Sequence, residues 1–475
     1  MSELSTDIFA LPPREGKAPM YQQLVERVQE LVVSGQLHPG DALPSSRALA
    51  SALGVSRKTV VTAYDRLVYA GWVEGKDRIG LFIADRTVTA LQHDESEGAD
   101  SGRMMTIDDG RPDVGIAPVK EIARSSRQLL SGITGVEALT GVYPAGRPAL
   151  RKAISETTVG ERGIEAADSS EILVCQGAQM ALFLIAHALL HPGDAIAVGT
   201  PGYPLAEAVF KSAGLTVVPV AVDSEGISTE LLEKAIGRYR VKALYVTPRH
   251  HYPTMVALSR ARRQQLATIA TRHHLLVIED DYDADIRYEA RPTLPLVHKL
   301  KRAECLYVGS FSAAVSSALR LGFVIGSAEH VKRLTNYRSL VDMQGDGLQQ
   351  EVMADLISCG DIHRHTLRAS RLYRERQQYL VRELRTHLSK RVAYSVPDGG
   401  LALWVEPARA IGKGDLEARL RRVGLSIPVF STAAEGLPTA SPNDTSSRAG
   451  MRIGYASLTN ADIDEMVEKL SRALN

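Results

Sequence analysis

Residues 275–283 read "LLVIEDDYD", an apolar run that ends abruptly on acids. Polar residues do not alternate with apolar ones, so the segment is a strand covered on both faces, as in a parallel sheet. Runs of the same kind flank it: "EILVCQ" (171–176), "AIAVGT" (195–200), "TVVPVAV" (216–222), "ALYVTP" (243–248), "CLYVGS" (305–310) and "LGFVIGS" (321–327). Helical stretches such as "QMALFLIAHALL" (179–190) and "SRARRQQLATIATRHH" (259–274) separate them. Strands interleaved with helices over 109–475 predict an α/β body with a mostly parallel central sheet. From about 360 onward, "RVAYSVPDGGLALWVEP", "DLEARLRRVGLSI" and "RAGMRIGYAS" read as a small C-terminal α/β lobe. Its last helix begins with a capping box, Thr459 to Asp462.

Residues 14–85 have a different texture. In "YQQLVERVQELVVSG", Leu24, Val28, Leu31 and Val32 fall on one helical face that Gly35 can end. "LPSSRALASALG" follows, with Ser45 or Ser46 as N-cap, Leu49 and Leu53 inward and Gly54 at the turn. "VSRKTVVTAYDRLVYAG" opens on a third capping serine, Ser56, and buries Val60, Tyr64 and Leu67. "WVEGKDRIGLFIAD" then reads as two short strands around a Gly- and charge-rich tip. Three helices and a hairpin make a winged helix-turn-helix, whose second motif helix enters the major groove of DNA. That helix begins Ser56, Arg57, Lys58, Thr59, and Arg57 suits a bidentate pair with guanine. Ser45 and Arg47, with Lys76 and Arg78 on the wing, suit phosphates. Any one of these charges is an ordinary solvated side chain; together they converge on one face. Residues 86–108, "RTVTALQHDESEGADSGRMMTID", are acidic, small and polar, and read as a flexible linker.

Bulk properties narrow the function. The 475 residues exceed one ordinary core, and 44% hydrophobic with 23% charged residues is a globular composition. A net charge of +1 excludes a wholesale electrostatic attraction to nucleic acid, so DNA contact must come from a local patch. Cys175, Cys305 and Cys359 are widely spaced and lack metal-ligand spacing, which suits a reducing cytoplasm. The start carries no secretory signal, and the longest apolar stretch, "ALFLIAHALL", falls short of the ~20 residues of a membrane helix.

The body carries features that suit a pyridoxal phosphate pocket. "GAQMAL" (177–182) joins a strand to a helix N-terminus, where the N–H groups of Ala178 and Gln179 can take a phosphate. Tyr203, in "TPGYP", can stack on a planar ring. Asp280, at a strand's carboxyl end, can keep a pyridine nitrogen protonated, and Tyr282 can bond the ring's phenolic oxygen. "GSFSAAVSSALRLG" (309–322) adds the hydroxyls Ser310 and Ser312 and the cation Arg320. Arg452, in "GMRIGYAS", can fork onto an effector carboxylate.

Two resemblances follow from these segments. "GQLHPGDALPSSRALASALGVSRKTVVTAYDRLVYAGWVEG" (35–75) resembles the DNA-binding domain of the GntR family of bacterial regulators. The body, in the order of its motifs, resembles a fold-type I aminotransferase. Fused, they resemble the MocR/GabR-like subfamily, to which "TPRHHYPT", "EDDYD" and "HTLRASRLYRER" are especially similar. The resemblance implies the site roles just given. It also implies a cytoplasmic, domain-swapped homodimer on operator DNA, responding to pyridoxal phosphate with an amino acid or amine. Three positions depart from the pattern. Tyr252 stands where enzymes of this fold often carry asparagine, and "YPAG" (143–146) replaces "DPAG", so Tyr143 inherits no role. The third is the Schiff-base lysine of "SFSK", which aligns with Ala313.

A transaminase needs that lysine twice, to hold the cofactor covalently and to move a proton at the substrate's α-carbon. The sequence therefore predicts a regulator that is not an enzyme, holding its cofactor noncovalently. Two rivals stay open: a metabolic aminotransferase with an accessory domain, inactivated here, and a regulator of pyridoxal phosphate synthesis that answers to the cofactor alone.

Overall fold

The structure is a computed structural model that describes residues 6–9, 20–33, 36–38, 40–69, 72–76, 80–83, 104–132, 136–137, 140–165, 167–288, 294–432 and 448–475. The chain divides into two units, Met1–Asp100 and Ser101–Asn475. Gly35, Arg78 and the linker residues 86–103 lie outside the described residues.

In the first unit, helices α1 (Met20–Val33), α2 (Ser46–Leu53) and α3 (Arg57–Tyr69) precede strands β1 (Val73–Lys76) and β2 (Gly80–Ile83), which pair antiparallel. Helix α2 begins where the Ser45 side chain accepts the Ala48 N–H, and stops at Gly54, whose φ of 62° only glycine adopts without strain. Ser56 caps α3 by accepting the Thr59 N–H at 3.1 Å. Leu24, Val28, Leu31, Leu49, Val60, Tyr64 and Leu67 are buried together with Phe9, Val73 and Ile83, while Val32 and Leu53 are half-buried at the rim. The wing is tied to the turn before α2 by a bridge between Ala42 and Phe82.

In the second unit, β4 (Ile172–Cys175), β5 (Ala195–Thr200), β6 (Thr216–Asp223), β7 (Gly226–Ile227), β8 (Val241–Val246), β9 (Leu276–Asp281), β10 (Cys305–Ser310) and β11 (Gly322–Ile325) form one sheet. Its order is β4-β11-β10-β9-β8-β5-β6-β7. Strands β6, β5, β8, β9 and β10 run parallel, and β11 is antiparallel to both its neighbours. The carboxyl ends of β4, β5, β8, β9 and β10 therefore share an edge with the start of β11. Helices Gly177–Leu189 and Arg260–His273 bury apolar faces in the cores of this sheet.

The small lobe is an antiparallel sheet, β12 (Val392–Ser395), β13 (Ala402–Pro407), β16 (Ala449–Gly454) and β15 (Val429–Ser431), with helices Lys413–Arg422 and Asn460–Ala473. The Thr459–Asp462 capping box is present in both directions. Strand β3 (Met105–Thr106), at the end of the stretch read as linker, pairs with β14 (Leu425–Ser426). Ile107 beside it is buried, so residues 104–108 belong to the body and not to a flexible connection.

The Tyr64 hydroxyl donates to the Pro44 carbonyl at 2.8 Å and joins α3 to the start of α2. Tyr64→Phe removes this bond and should lower the stability of the head by about 1 kcal/mol. A lower urea midpoint at unchanged slope is the expected result.

Candidate functional site

Two of the three consecutive acids of β9 meet opposite fates. Asp281 receives both arms of Arg249, Nε to Oδ1 at 2.9 Å and Nη2 to Oδ2 at 3.1 Å, and the Tyr307 hydroxyl at 2.9 Å. Burial opposes its charge, but Arg249 and Arg162 prevail and hold it at about 2. Asp280 faces the other way. Its Oδ2 accepts the Tyr245 hydroxyl at 2.9 Å, while its Oδ1 is buried without a partner. Burial, with Asp281 and Asp283 nearby, raises it to about 7 despite the Tyr245 bond.

This orphaned oxygen tests whether pyridoxal phosphate fits. A protonated ring nitrogen would complete Asp280, as the resemblance implies. At the phosphate end, Gln176 gives helix Gly177–Leu189 no side-chain cap, so the N–H groups of Ala178 and Gln179 have no acceptor in the helix. Gly177 has a φ of 80°, and a Cβ there would come within 3.0 Å of Arg320 Nη2, so the glycine lets the cation approach the helix end. Ser310 is buried and its hydroxyl accepts the Ser312 N–H at 3.0 Å, shaping the turn that leads to Ala313. Tyr203 lies half-buried just beyond β5, at the N-cap of helix Pro204–Ser212, 5.0 Å from Tyr252 in an edge-on contact. The residues present fit the group.

Tyr282 is placed differently from the sequence expectation. Its hydroxyl donates to the His250 carbonyl at 3.1 Å and accepts from Arg452 Nη2 at 3.2 Å, so its one proton is not directed at a ring oxygen. Arg452 is 2% exposed, and its other donors go to the Asp109 and Pro253 carbonyls and the Met255 sulfur. Among the described residues no carboxylate pairs with it. The buried guanidinium is thus held by neutral acceptors, with no carboxylate counter-ion among the described residues. Ala313, 8% exposed, packs in the core that includes Ile286 and Leu401.

Sequence reasoning missed Tyr245, Arg249 and Asp109. A tyrosine inside the apolar run "ALYVTP" was the one visible signal for the first; the other two act through partners distant in sequence.

On the head, Arg47, Arg57 and Lys58 are exposed and form no ion pair among the described residues, and Arg57 Nε lies 3.4 Å from the Ser46 hydroxyl. Ser45 and Ser56 spend their side chains on capping. Nothing is described of the Lys76 side chain or of Arg78.

Residues 110–470 match the family described as aminotransferase class I and II, and residues 20–83 match the gntR family of bacterial regulatory proteins. A Rhizobium meliloti protein described as a probable rhizopine catabolism regulatory protein, MocR, is 29% identical across 97% of this chain and 94% of its own. The pyridoxine biosynthesis transcriptional regulator PdxR of Corynebacterium glutamicum is 30% identical across 78% of this chain and 79% of its own. Among solved structures, the α-aminoadipate aminotransferase LysN of Thermus thermophilus, complexed with N-(5'-phosphopyridoxyl)-L-leucine, superposes with a TM-score of 0.69 at 25% identity. That likeness covers 78% of this chain and 92% of the enzyme.

Beside the pocket, His250 is buried between two carboxylates, with Nδ1 2.8 Å from Asp283 and Nε2 3.2 Å from Asp398 of the small lobe. Burial alone would lower it, but the acids overcome that and raise it to about 9. A histidine raised in the folded state stabilises fully below its unfolded value of about 6.5, and that stability is lost as pH rises through 9. Thermal unfolding of the body followed from pH 6 to 10 should show this decline, and His250→Gln should flatten it.

Proposed function

This chain belongs to the aminotransferase class I and II family and to the MocR-type transcriptional regulators that join that fold to a GntR-family head, and we propose that its body senses a pyridoxal-type ligand without turning it over. The observation that carries this is the Asp280 carboxyl, buried, half-satisfied and raised to about 7 at the sheet edge where Arg320 meets a helix N-terminus. In this reading Asp280 holds the ring nitrogen and Tyr203 covers the ring. Arg320, Ser310, Ser312 and the N–H groups of Ala178 and Gln179 hold the phosphate. Arg452 takes the carboxylate of an amino-acid effector. Bound pyridoxal phosphate supplies an aldehyde and an electron-withdrawing ring. Ala313, at the position the resemblance gives to lysine, offers no amine to anchor it and no base to move a proton, so binding is noncovalent.

Sensing requires only that the ligand bind two conformations unequally. The head supports operator recognition through Arg57 and Lys58 on α3, with Arg47, Ser45, Ser56 and Thr59 beside them, and the wing residues Lys76 and Arg78 complete the proposed face. Exposed Val119, Leu130 and Leu340 support a body that pairs with a second copy as a homodimer. The cytoplasm is the proposed location.

Pyridoxal phosphate titrated into the purified protein and followed by equilibrium dialysis should bind reversibly. Asp280→Asn should weaken binding about tenfold or more, and Ala313→Lys should gain a borohydride-trapped covalent adduct. No binding by the protein or by the lysine variant removes the cofactor assignment, and steady transamination by the chain as written removes the sensor reading.

For the head, DNA from the protein's own upstream region should be preferred over random DNA with a steep salt dependence. Arg57→Ala should cost about 1–3 kcal/mol of that preference, whereas Lys58→Ala should weaken both and lower the salt slope by about one. Equal binding to random DNA would sink the regulatory reading.

A further inference from the structure

Asp109 stands just before Gly110, half-buried at the rim of the pocket, and nothing above gives its carboxylate a task. Its backbone carbonyl accepts Arg452 Nε at 2.6 Å. Its side chain points elsewhere: Oδ2 accepts the Tyr252 hydroxyl at 3.0 Å, and no cation pairs with it among the described residues. Its charge also reaches Tyr203, whose hydroxyl is raised to about 12 by burial first, then by Asp280 and by Asp109.

Tyr252 touches both charged groups. The Arg452 guanidinium carbon lies 4.6 Å from the Tyr252 ring centroid, on the face of the ring, whereas Asp109 is taken up by the hydroxyl at its edge. Tyr203 at 5.0 Å, Phe430 at 5.7 Å and Tyr282 at 6.4 Å surround the same ring edge-on. One aromatic ring thus carries on its face a cation with no carboxylate partner and on its hydroxyl a carboxylate with no cation partner among the described residues, within a wall of rings that tolerates positive charge.

A ligand with a carboxylate alone would satisfy Arg452 and bring a like charge toward Asp109. An amine alone would satisfy Asp109 and leave Arg452 unpaired. A zwitterion answers both with charge-assisted hydrogen bonds. Because Arg452 and Tyr252 both hold parts of the single residue Asp109, the two charges read lie within one residue's reach.

We propose that Asp109 is the specificity-determining residue of this pocket. It selects an effector that is a short amino acid, taking the ammonium while Arg452 takes the carboxylate. The inference rests on the ligand-sensing reading above and extends it from a cofactor cradle to the chemical class of the second ligand.

The test uses the full chain loaded with pyridoxine 5'-phosphate, which lacks the aldehyde and cannot condense with amines. Straight-chain amino acids of two to six carbons, and the matching acids without the amine, are titrated calorimetrically into the wild type and Asp109→Asn. Asparagine keeps an oxygen for the Tyr252 hydroxyl, so the fold is maintained while the charge is removed. At least one amino acid should bind the wild type about tenfold tighter than its matching acid, and Asp109→Asn should erase that preference. A preference that survives in Asp109→Asn, or a panel in which no amino acid outranks its acid, overturns the assignment. Dialysis reports separately whether each protein retains pyridoxine 5'-phosphate. A wild type that does not retain it fails the cofactor reading, and the proposal falls with it, whereas retention without amine preference fails Asp109 alone.

Discussion

The buried ion pair of Arg249 with Asp281 is the constraint on which the pocket depends. Two carboxylates in sequence at the end of a buried strand repel one another, and burial penalises both. The bidentate arginine resolves the conflict for Asp281. Arg162, which bonds Asp285 through two nitrogens and the Ser310 carbonyl through one, extends the same network under the turn that precedes Ala313. With Asp281 secured as an anion at about 2, Asp280 is left as the group whose charge the protein does not settle, at about 7. Environments that drive paired carboxyls apart in this way are a recurrent feature of functional sites. In the proposed reading the settled member is scaffold and the unsettled one receives the ligand.

How much of this was legible in the sequence depended on the range of the interaction. The sheet, its covering helices and the winged head follow from periodicity and capping, which are local. Asp280, Ser310 and Arg320 could be singled out because they fall at or beside strand ends, where chain order alone predicts an edge. Asp109 was not, since it directly follows the stretch 86–108 that reads as linker, ahead of the first predicted strand, and the partners that define it, Tyr252 and Arg452, lie 143 and 343 residues away. The His250–Asp398 contact spans 148 residues and was equally hidden. For Tyr282 the sequence suggested a bond to the ring's phenolic oxygen, and only the fold reveals that the His250 carbonyl, 32 residues away in the chain, competes for its proton.

The small lobe is joined to the large sheet by polar contacts concentrated around the pocket. Arg452, on β16, bonds Pro253 and Tyr282 of the large sheet's loops, His250 reaches Asp398, and the Tyr288 N–H bonds the Asp398 carbonyl. The Arg452 and His250 contacts among them are charge-assisted, so they are lost when the lobe moves away from the sheet. A ligand held by Asp280 and Arg320 on the sheet and by Arg452 on the lobe would lie across the same seam. Its binding free energy would then differ between a joined and a parted lobe, and that difference is what a sensor needs. An enzyme spends such a difference on the reacting bond. In the proposed reading Ala313 offers no amine and the ligand is not turned over, so that difference is left to bias the position of the lobe.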